Sequence, residues 1–125
     1  AIFVRGSRSR QDGRVRAEAI VMSETVKPPE DCETMAEVRL GVDTLDRELM
    51  RLIAVRFGYM RAAARIKPER GHVRDEARKA QVIDNVREDA RREGIPEAAL
   101  GDIWDALVEA SIAYEMVEWE RLRSS

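Results

Sequence analysis

The sequence predicts an all-α chain of three helices, the first much longer than the other two. Three observations predict it. Apolar residues recur at spacings of three and four and nowhere alternate. The composition, with 37% charged and 5% aromatic residues, is that of a helical bundle. Helix breakers gather at two places, Pro68–Gly71 and Gly94–Pro96, and divide the chain into three helical stretches.

At 125 residues the chain has the length of one domain. Residues 1–21 carry five arginines (Arg5, Arg8, Arg10, Arg14, Arg16) against Asp12 and Glu18. That is a net +3 in a chain of net −2, which leaves −5 for the rest. This segment has no amphipathic period, no apolar signal-like core and no aromatic beyond Phe3. Met22 reads as a plausible natural start, and residues 1–21 as upstream-translated, cloning-derived or disordered sequence. Residues 22–33 are polar, contain Pro28-Pro29 and are expected to be extended. The domain division is therefore a disordered or extended segment over 1–29 and a helical domain over 30–125.

Thr34 with Glu37 three residues later fits a capping box that opens the first helix, which runs to about Lys67 before Pro68. More than thirty helical residues span roughly 50 Å, against a radius of gyration of about 13 Å for a compact domain of ~100 residues. Dimerisation through this helix would cover its overhanging apolar stripe. Gly41 and Gly58 weaken it locally and would permit close helix contact. Asp75 is the expected N-cap of the second helix, Glu76 to about Arg92, whose stripe is Ala80, Ile83, Val86 and Ala90. Gly94 ends it. Pro96 begins the third helix, which runs to about Arg121 and carries Leu100, Ile103, Trp104, Leu107, Val108, Ser111, Ile112, Trp119 and Leu122.

The first helix places cations where core residues belong. Val38, Val42, Leu45, Leu49, Leu52, Met60 and Ala63 mark its buried face, and Arg56 and Lys67 fall on that same stripe. A buried charge without a partner is costly. Either these cations meet facing carboxylates, or they await an anionic ligand. Eleven residues separate them, about three turns or roughly 16 Å along one face, so two long side chains could grip one small dianion. Arg39 lies seventeen residues before Arg56, roughly 25 Å away. If it contributes, it must come from a second, antiparallel copy.

The third helix carries two polar residues on its apolar face, Ser111 and Glu115. A buried serine commonly bonds back to its own helix. A carboxyl group there must find a cation or stay protonated. Glu115 would be either a bridge to Arg56 or a neighbouring arginine, or an acid donating to a ligand oxygen.

Several chemistries are excluded or disfavoured. No run approaches the ~20 apolar residues of a membrane span. Cys32 is the single cysteine and His72 the single histidine. No disulfide framework is possible, a reducing cytoplasmic compartment fits, a zinc site is improbable, and nucleophilic triads have little to work with. A nucleic-acid role would rest on residues 1–21 alone, against an acidic remainder. Arg39, Arg56, Lys67, Arg78, Ser111 and Glu115 form a set rich in cations and donors, with no nucleophile and no metal ligands. Such a set suits an intramolecular rearrangement of a small polyanion, held in a reactive conformer while its developing charge is stabilised.

The pattern Arg39-Leu-Gly-Val-Asp-Thr-Leu-Asp46, then Arg56, Lys67 and Val73-Arg-Asp75 with Arg78, resembles the all-helical chorismate mutase family, the AroQ class. The resemblance covers about residues 30–122. It implies an intertwined all-α homodimer with two active sites, each taking Arg39 from the partner, and no cofactor or metal. It implies that Arg39, Arg56 and Lys67 bind substrate, with Lys67 and Arg56 at the ether oxygen and a carboxylate. Asp75 would contact the substrate hydroxyl, Arg78 a carboxylate and Ser111 the region of the ring carboxylate. Glu115 would bond the breaking ether oxygen. Lys67, Glu115 and Arg56 are the expected catalytic groups; Arg39, Asp75, Arg78 and Ser111 are the expected binding groups. Lys79 departs from the family pattern, which often has Glu there.

A second resemblance competes. Pro29-Glu-Asp-Cys32, Tyr59-Met-Arg-Ala-Ala-Ala-Arg-Ile-Lys67, Ile112-Ala-Tyr-Glu115 and Glu118-Trp119 look like the isochorismate pyruvate lyase branch of the same fold. The loop Val73-Arg-Asp75 is mutase-like, and Glu115 replaces the glutamine of the lyases. The expected function is rearrangement of chorismate to prephenate, with the lyase reaction as alternative. An amino-substituted chorismate is a further substrate option. The rival from another class is a non-catalytic regulatory dimer that binds such ligands or a partner enzyme. Expected partners are a small-molecule substrate and a second copy, with neither nucleic acid nor membrane.

Overall fold

A computed structural model describes residues 26–124. The reading of residues 1–21 lies outside the described residues. Three α-helices follow in order: α1 (Met35–Ile66), α2 (Glu76–Glu93) and α3 (Glu97–Arg123). The described residues contain no strand. Short 3-10 turns, Pro29–Asp31 and Arg70–His72, precede α1 and join α1 to α2. The described residues include no helix long and apolar enough to cross a membrane. The chain divides into two units after Ala54, and α1 runs from the first into the second.

In the first unit the capping box forms. Glu37 N–H donates to Thr34 Oγ1 at 3.2 Å, and Thr34 N–H donates back to Glu37 Oε1 at 3.0 Å. Glu33 N–H adds a third bond to the same carboxylate at 2.8 Å. The Lys27 ammonium pairs with Glu37 and, with these backbone donors, holds its carboxyl down at about 2. Of the extended conformation expected over residues 22–33, the part at 22–25 lies outside the described residues, and Pro29–Asp31 forms a 3-10 turn instead. Pro29 presets φ at its first position, and Asp31 N–H donates to Pro28 O at 3.0 Å. Beyond the box, Val42, Leu45 and Leu49 stand exposed along α1.

The second unit builds on the α2–α3 pair. Asp75 caps α2, its side chain accepting from Arg78 N–H at 3.0 Å. Gly94 closes it in the left-handed region at φ 72°, where a side chain would be strained. Ile95 N–H then reaches back to Ala90 O at 3.0 Å. This carries α2 one residue past the expected Arg92. α3 starts at Glu97 rather than Pro96, because the Pro96 carbonyl accepts the first helical bond, from Leu100, at 3.1 Å. It ends at Arg123 rather than about Arg121. At Gly101 a Cβ would meet the aliphatic stem of Arg87 at 3.2 Å, so the bare glycine lets that stem lie against α3.

The 55–66 portion of α1 joins this pair through α3. Phe57 and Tyr114 meet edge to face, ring centres 5.0 Å apart at 89°, a favoured aromatic geometry. Arg61 donates to the Tyr114 hydroxyl at 2.9 Å. Ala64, Val73, Ala90 and Val108 are buried. Of these, Val73 and Val108 line a cavity, which takes polar groups from the same helices.

Candidate active site

The cavity lies within the second unit and measures about 350 Å³, toward the lower end of the range of small-molecule sites. α1 lends Arg56, Met60 and Ala63, with Lys67 just beyond its end. The joining loop lends Val73 and Asp75, α2 lends Arg78, Lys79 and Val82, and α3 lends Val108, Ser111, Ile112 and Glu115. Six of the seven residues singled out from the sequence therefore line one cavity. Arg39 is the exception: it is exposed, lies in the first unit and does not line the cavity.

Local sequence explains each placement. Arg56, Met60, Ala63 and Lys67 follow one another by three or four, so they share a face of α1. On α3, Ser111 and Ile112 lie three and four residues after Val108, and Glu115 lies four and three after them, so these four also share a face. Asp75 caps α2 with its side chain, which fixes the first turn from which Arg78 and Lys79 project.

Charge around the cavity is uneven. Four cations line it, Arg56, Lys67, Arg78 and Lys79, against two carboxylates, Asp75 and Glu115. Arg56 Nη1 donates to Ser111 Oγ at 2.6 Å, and Ser111 Oγ donates to Leu107 O at 2.7 Å. Its partner is thus a neutral hydroxyl, and no carboxylate among the described residues pairs with Arg56. Burial, and then the charge of Arg78, push the Arg56 guanidinium below its ordinary value. It stays charged at neutral pH all the same. Arg78 donates to the neutral Gln81 Oε1 at 2.7 Å. Two neighbouring arginines are therefore left without an ionic partner among the described residues.

The other two cations are paired. Lys67 Nζ stands 2.7 Å from Glu115 Oε2 and 3.5 Å from Val73 O. Glu115 is 3% exposed. Of the two readings of Glu115, the bridge to an arginine does not form among the described residues: the carboxylate meets Lys67, while Arg56 meets Ser111. Oε2 makes no hydrogen bond among the described residues despite the short distance. The contact with the Lys67 ammonium is ionic. Lys79 Nζ lies 2.7 Å from Glu109 and 3.0 Å from Asp105, both on α3. Arg74 clasps Glu109 from the other side, at 2.7 and 3.1 Å.

Two features of the site were not singled out in the sequence as binding groups. Lys79 lines the cavity, and its place one turn after the Asp75 cap is the signal that could have shown it. The carbonyl of Lys67 accepts from Trp119 Nε1 at 2.9 Å and from Arg123 Nη2 at 2.8 Å. Nothing in the local sequence announces that contact, because it depends on how far α3 extends past the end of α1. The described residues contain no cluster of His, Cys, Asp and Glu suited to a metal ion.

Chemically, the cavity is lined with groups able to hold a small anion. Its surplus of two positive charges matches a dianion, and it offers an ammonium, guanidiniums and a hydroxyl as donors. The family pattern of chorismate mutase type II matches residues 38–116, which holds the whole cavity wall. The chain belongs to the chorismate mutase type II family. Within that family it is similar to the isochorismate pyruvate lyase of Pseudomonas aeruginosa, at 23% identity over 100 residues. The match covers 80% of this chain and 99% of the relative. The chorismate mutase type II pattern begins at 38, so it includes Arg39 of the first unit.

Proposed function

We propose that the cavity binds chorismate and rearranges it to prephenate. One observation carries this reading: Arg56 and Arg78 both line the cavity without a carboxylate partner for their guanidiniums among the described residues. The substrate's two carboxylates supply the missing negative charge. The rearrangement breaks a carbon–oxygen bond and forms a carbon–carbon bond within one molecule, and neither atoms nor electrons leave. It needs no nucleophile, only a compact conformer and a place for charge on the departing ether oxygen. Lys67 donates to that oxygen; Glu115, the ionic partner of Lys67 in the free site, takes up a proton as substrate binds and donates from the other side. Only the acid form of Glu115 can do so, since a carboxylate has no proton to give. Ser111 holds Arg56 in place for a carboxylate, Arg78 takes the other, and Asp75 meets the substrate hydroxyl. Oriented donors at a developing oxyanion are worth about a hundredfold to a thousandfold each.

A homodimer forms part of this reading. Val42, Leu45 and Leu49 are exposed along α1, and a second copy laid on that face would cover them. The partner's Arg39 would then complete the cation set.

The relative from Pseudomonas aeruginosa favours a second reading, elimination of pyruvate from isochorismate to leave salicylate. There the same carbon–oxygen bond breaks, and a ring hydrogen moves to the departing enolpyruvyl group. Purified protein at micromolar concentration, followed by the ultraviolet loss of chorismate and then of isochorismate, tests both. Prephenate as product supports the mutase, and salicylate with pyruvate supports the lyase. Turnover of neither would defeat the catalytic proposal and leave a ligand-binding helical protein.

A further inference from the structure

Lys67 is gripped at both ends by one face of α3. Glu115, Trp119 and Arg123 follow one another by four residues, so they line up along that helix. Glu115 meets the Lys67 ammonium at 2.7 Å. Trp119 Nε1 and Arg123 Nη2 meet its main-chain carbonyl at 2.9 and 2.8 Å. Arg123 also donates to Ala64 O at 3.0 Å and to Arg65 O at 3.4 Å. Its guanidinium carbon lies 4.2 Å from the centre of the Trp119 ring, in cation–π contact.

The physical reason is local. The last carbonyls of a helix have no partner within it, and α1 ends at Ile66. Arg123 supplies donors to that end, and its charge suits the negative pole of the helix. Trp119 adds a donor on a rigid ring, and the same ring meets the guanidinium in cation–π contact. A lysine has a long, flexible stem. Where its ammonium stands depends on where its backbone is held, and the residue after a helix end is ordinarily free to move. Here it has two donors from one face of α3.

We infer that Trp119 and Arg123 are positioning residues for Lys67. They fix its main chain so that the ammonium stands beside Glu115 before substrate arrives. Neither lines the cavity. Their effect on turnover rests on the function proposed above; their effect on Lys67 itself does not.

The experiment therefore reads both. Trp119→Phe keeps a ring beneath the guanidinium and removes only the N–H donor. Arg123→Gln removes the charge and most of the fork. In protein labelled with 15N-lysine and free of substrate, the Lys67 ammonium signal is assigned by its loss in Lys67→Arg. Each of the two variants should shift that signal. With the active substrate each should lower kcat about tenfold, short of the ~hundredfold loss of a full 1 Å displacement, with little change in KM. Arg123→Lys should recover part of the loss. In a Lys67→Ala background, Trp119→Phe should lower turnover no further. An unmoved Lys67 signal in both variants would overturn the inference, and so would an undiminished second loss in the Lys67→Ala background. Should the wild type turn over neither substrate, the functional reading falls, and the Lys67 signal alone decides the clamp.

Discussion

Arg56 and Ser111 meet across α1 and α3 at 2.6 Å, a charged donor on a neutral hydroxyl. The hydroxyl passes its own hydrogen to Leu107 O at 2.7 Å, so it accepts from Arg56 with its free lone pair. This orients the guanidinium and leaves its charge available. Ser111→Ala should therefore raise KM about fivefold to tenfold, the value of one net hydrogen bond. Arg56→Ala should cost far more, about 3 kcal/mol of transition-state stabilisation. Steady-state kinetics of the two variants checks the order; equal losses would mean that Arg56 acts only as a partner for Ser111.

Lys67→Ala separates catalysis from folding. It removes the donor to the ether oxygen, and kcat should fall about a hundredfold to a thousandfold. It also strands the buried Glu115 carboxylate. Breaking a buried pair costs up to ~3–5 kcal/mol, and here less than ~3 kcal/mol, because the Lys67 side chain is 30% exposed. The double variant Lys67→Ala with Glu115→Gln should regain most of that stability and none of the activity. Urea unfolding of the two proteins supplies the stability comparison.

An amide in place of Glu115 can still donate to the ether oxygen. Glu115→Gln should therefore keep most of the turnover, while Glu115→Leu, which offers no donor, should lose about a hundredfold in kcat. Equal losses in the two variants, read by steady-state kinetics, would mean that Glu115 serves only as the ionic partner of Lys67.

The Arg74–Glu109–Lys79 network predicts a stability change in acid. Arg74, and then Lys79, hold the Glu109 carboxyl down at about 2 from an ordinary 4.5. A depressed folded-state value means that its stabilisation is complete above about 4.5 and is lost as pH falls toward about 2. Lys79 is raised by the same carboxylates, Glu109 first, so its contribution is present below its ordinary 10.5 and fades as pH rises past it. Arg74 is exposed, Glu109 and Lys79 are only partly buried, and solvent screens them, so the expectation is a direction. Urea midpoints at pH 5 and pH 3 should differ less in Glu109→Gln than in the wild type.

If the partner subunit lends Arg39, two inactive chains should complement each other. Mixing Arg39→Ala with Lys67→Ala should restore some wild-type sites. Verified heterodimers without recovered turnover would argue against a shared site.

How much of this could be read from the sequence differs by residue. The Thr34–Glu37 box, the Asp75 cap and the Gly94 stop are local chemistry, and the helix ends fall within two residues of where they point. Arg56, Lys67, Ser111 and Glu115 stood out because polar groups on an apolar stripe must face something. Which one faces which was not legible. For Glu115 an arginine bridge and a ligand-facing acid were both open, and the register of α3 against α1 brings it to Lys67 and gives Ser111 to Arg56. Lys79 looked like a departure from a family pattern, and only the packing of α2 on α3 shows Asp105 and Glu109 beside it. The grip of Trp119 and Arg123 on a backbone carbonyl has no sequence signature, since every residue offers that carbonyl.

The most direct measurement is a crystal structure with a bicyclic dicarboxylate that mimics the transition state of the rearrangement. The account predicts its carboxylates on Arg56 and Arg78, and its ether oxygen between Lys67 and Glu115. A mimic that binds with those two arginines still facing Ser111 and Gln81 alone, or that seats outside the cavity, would contradict it.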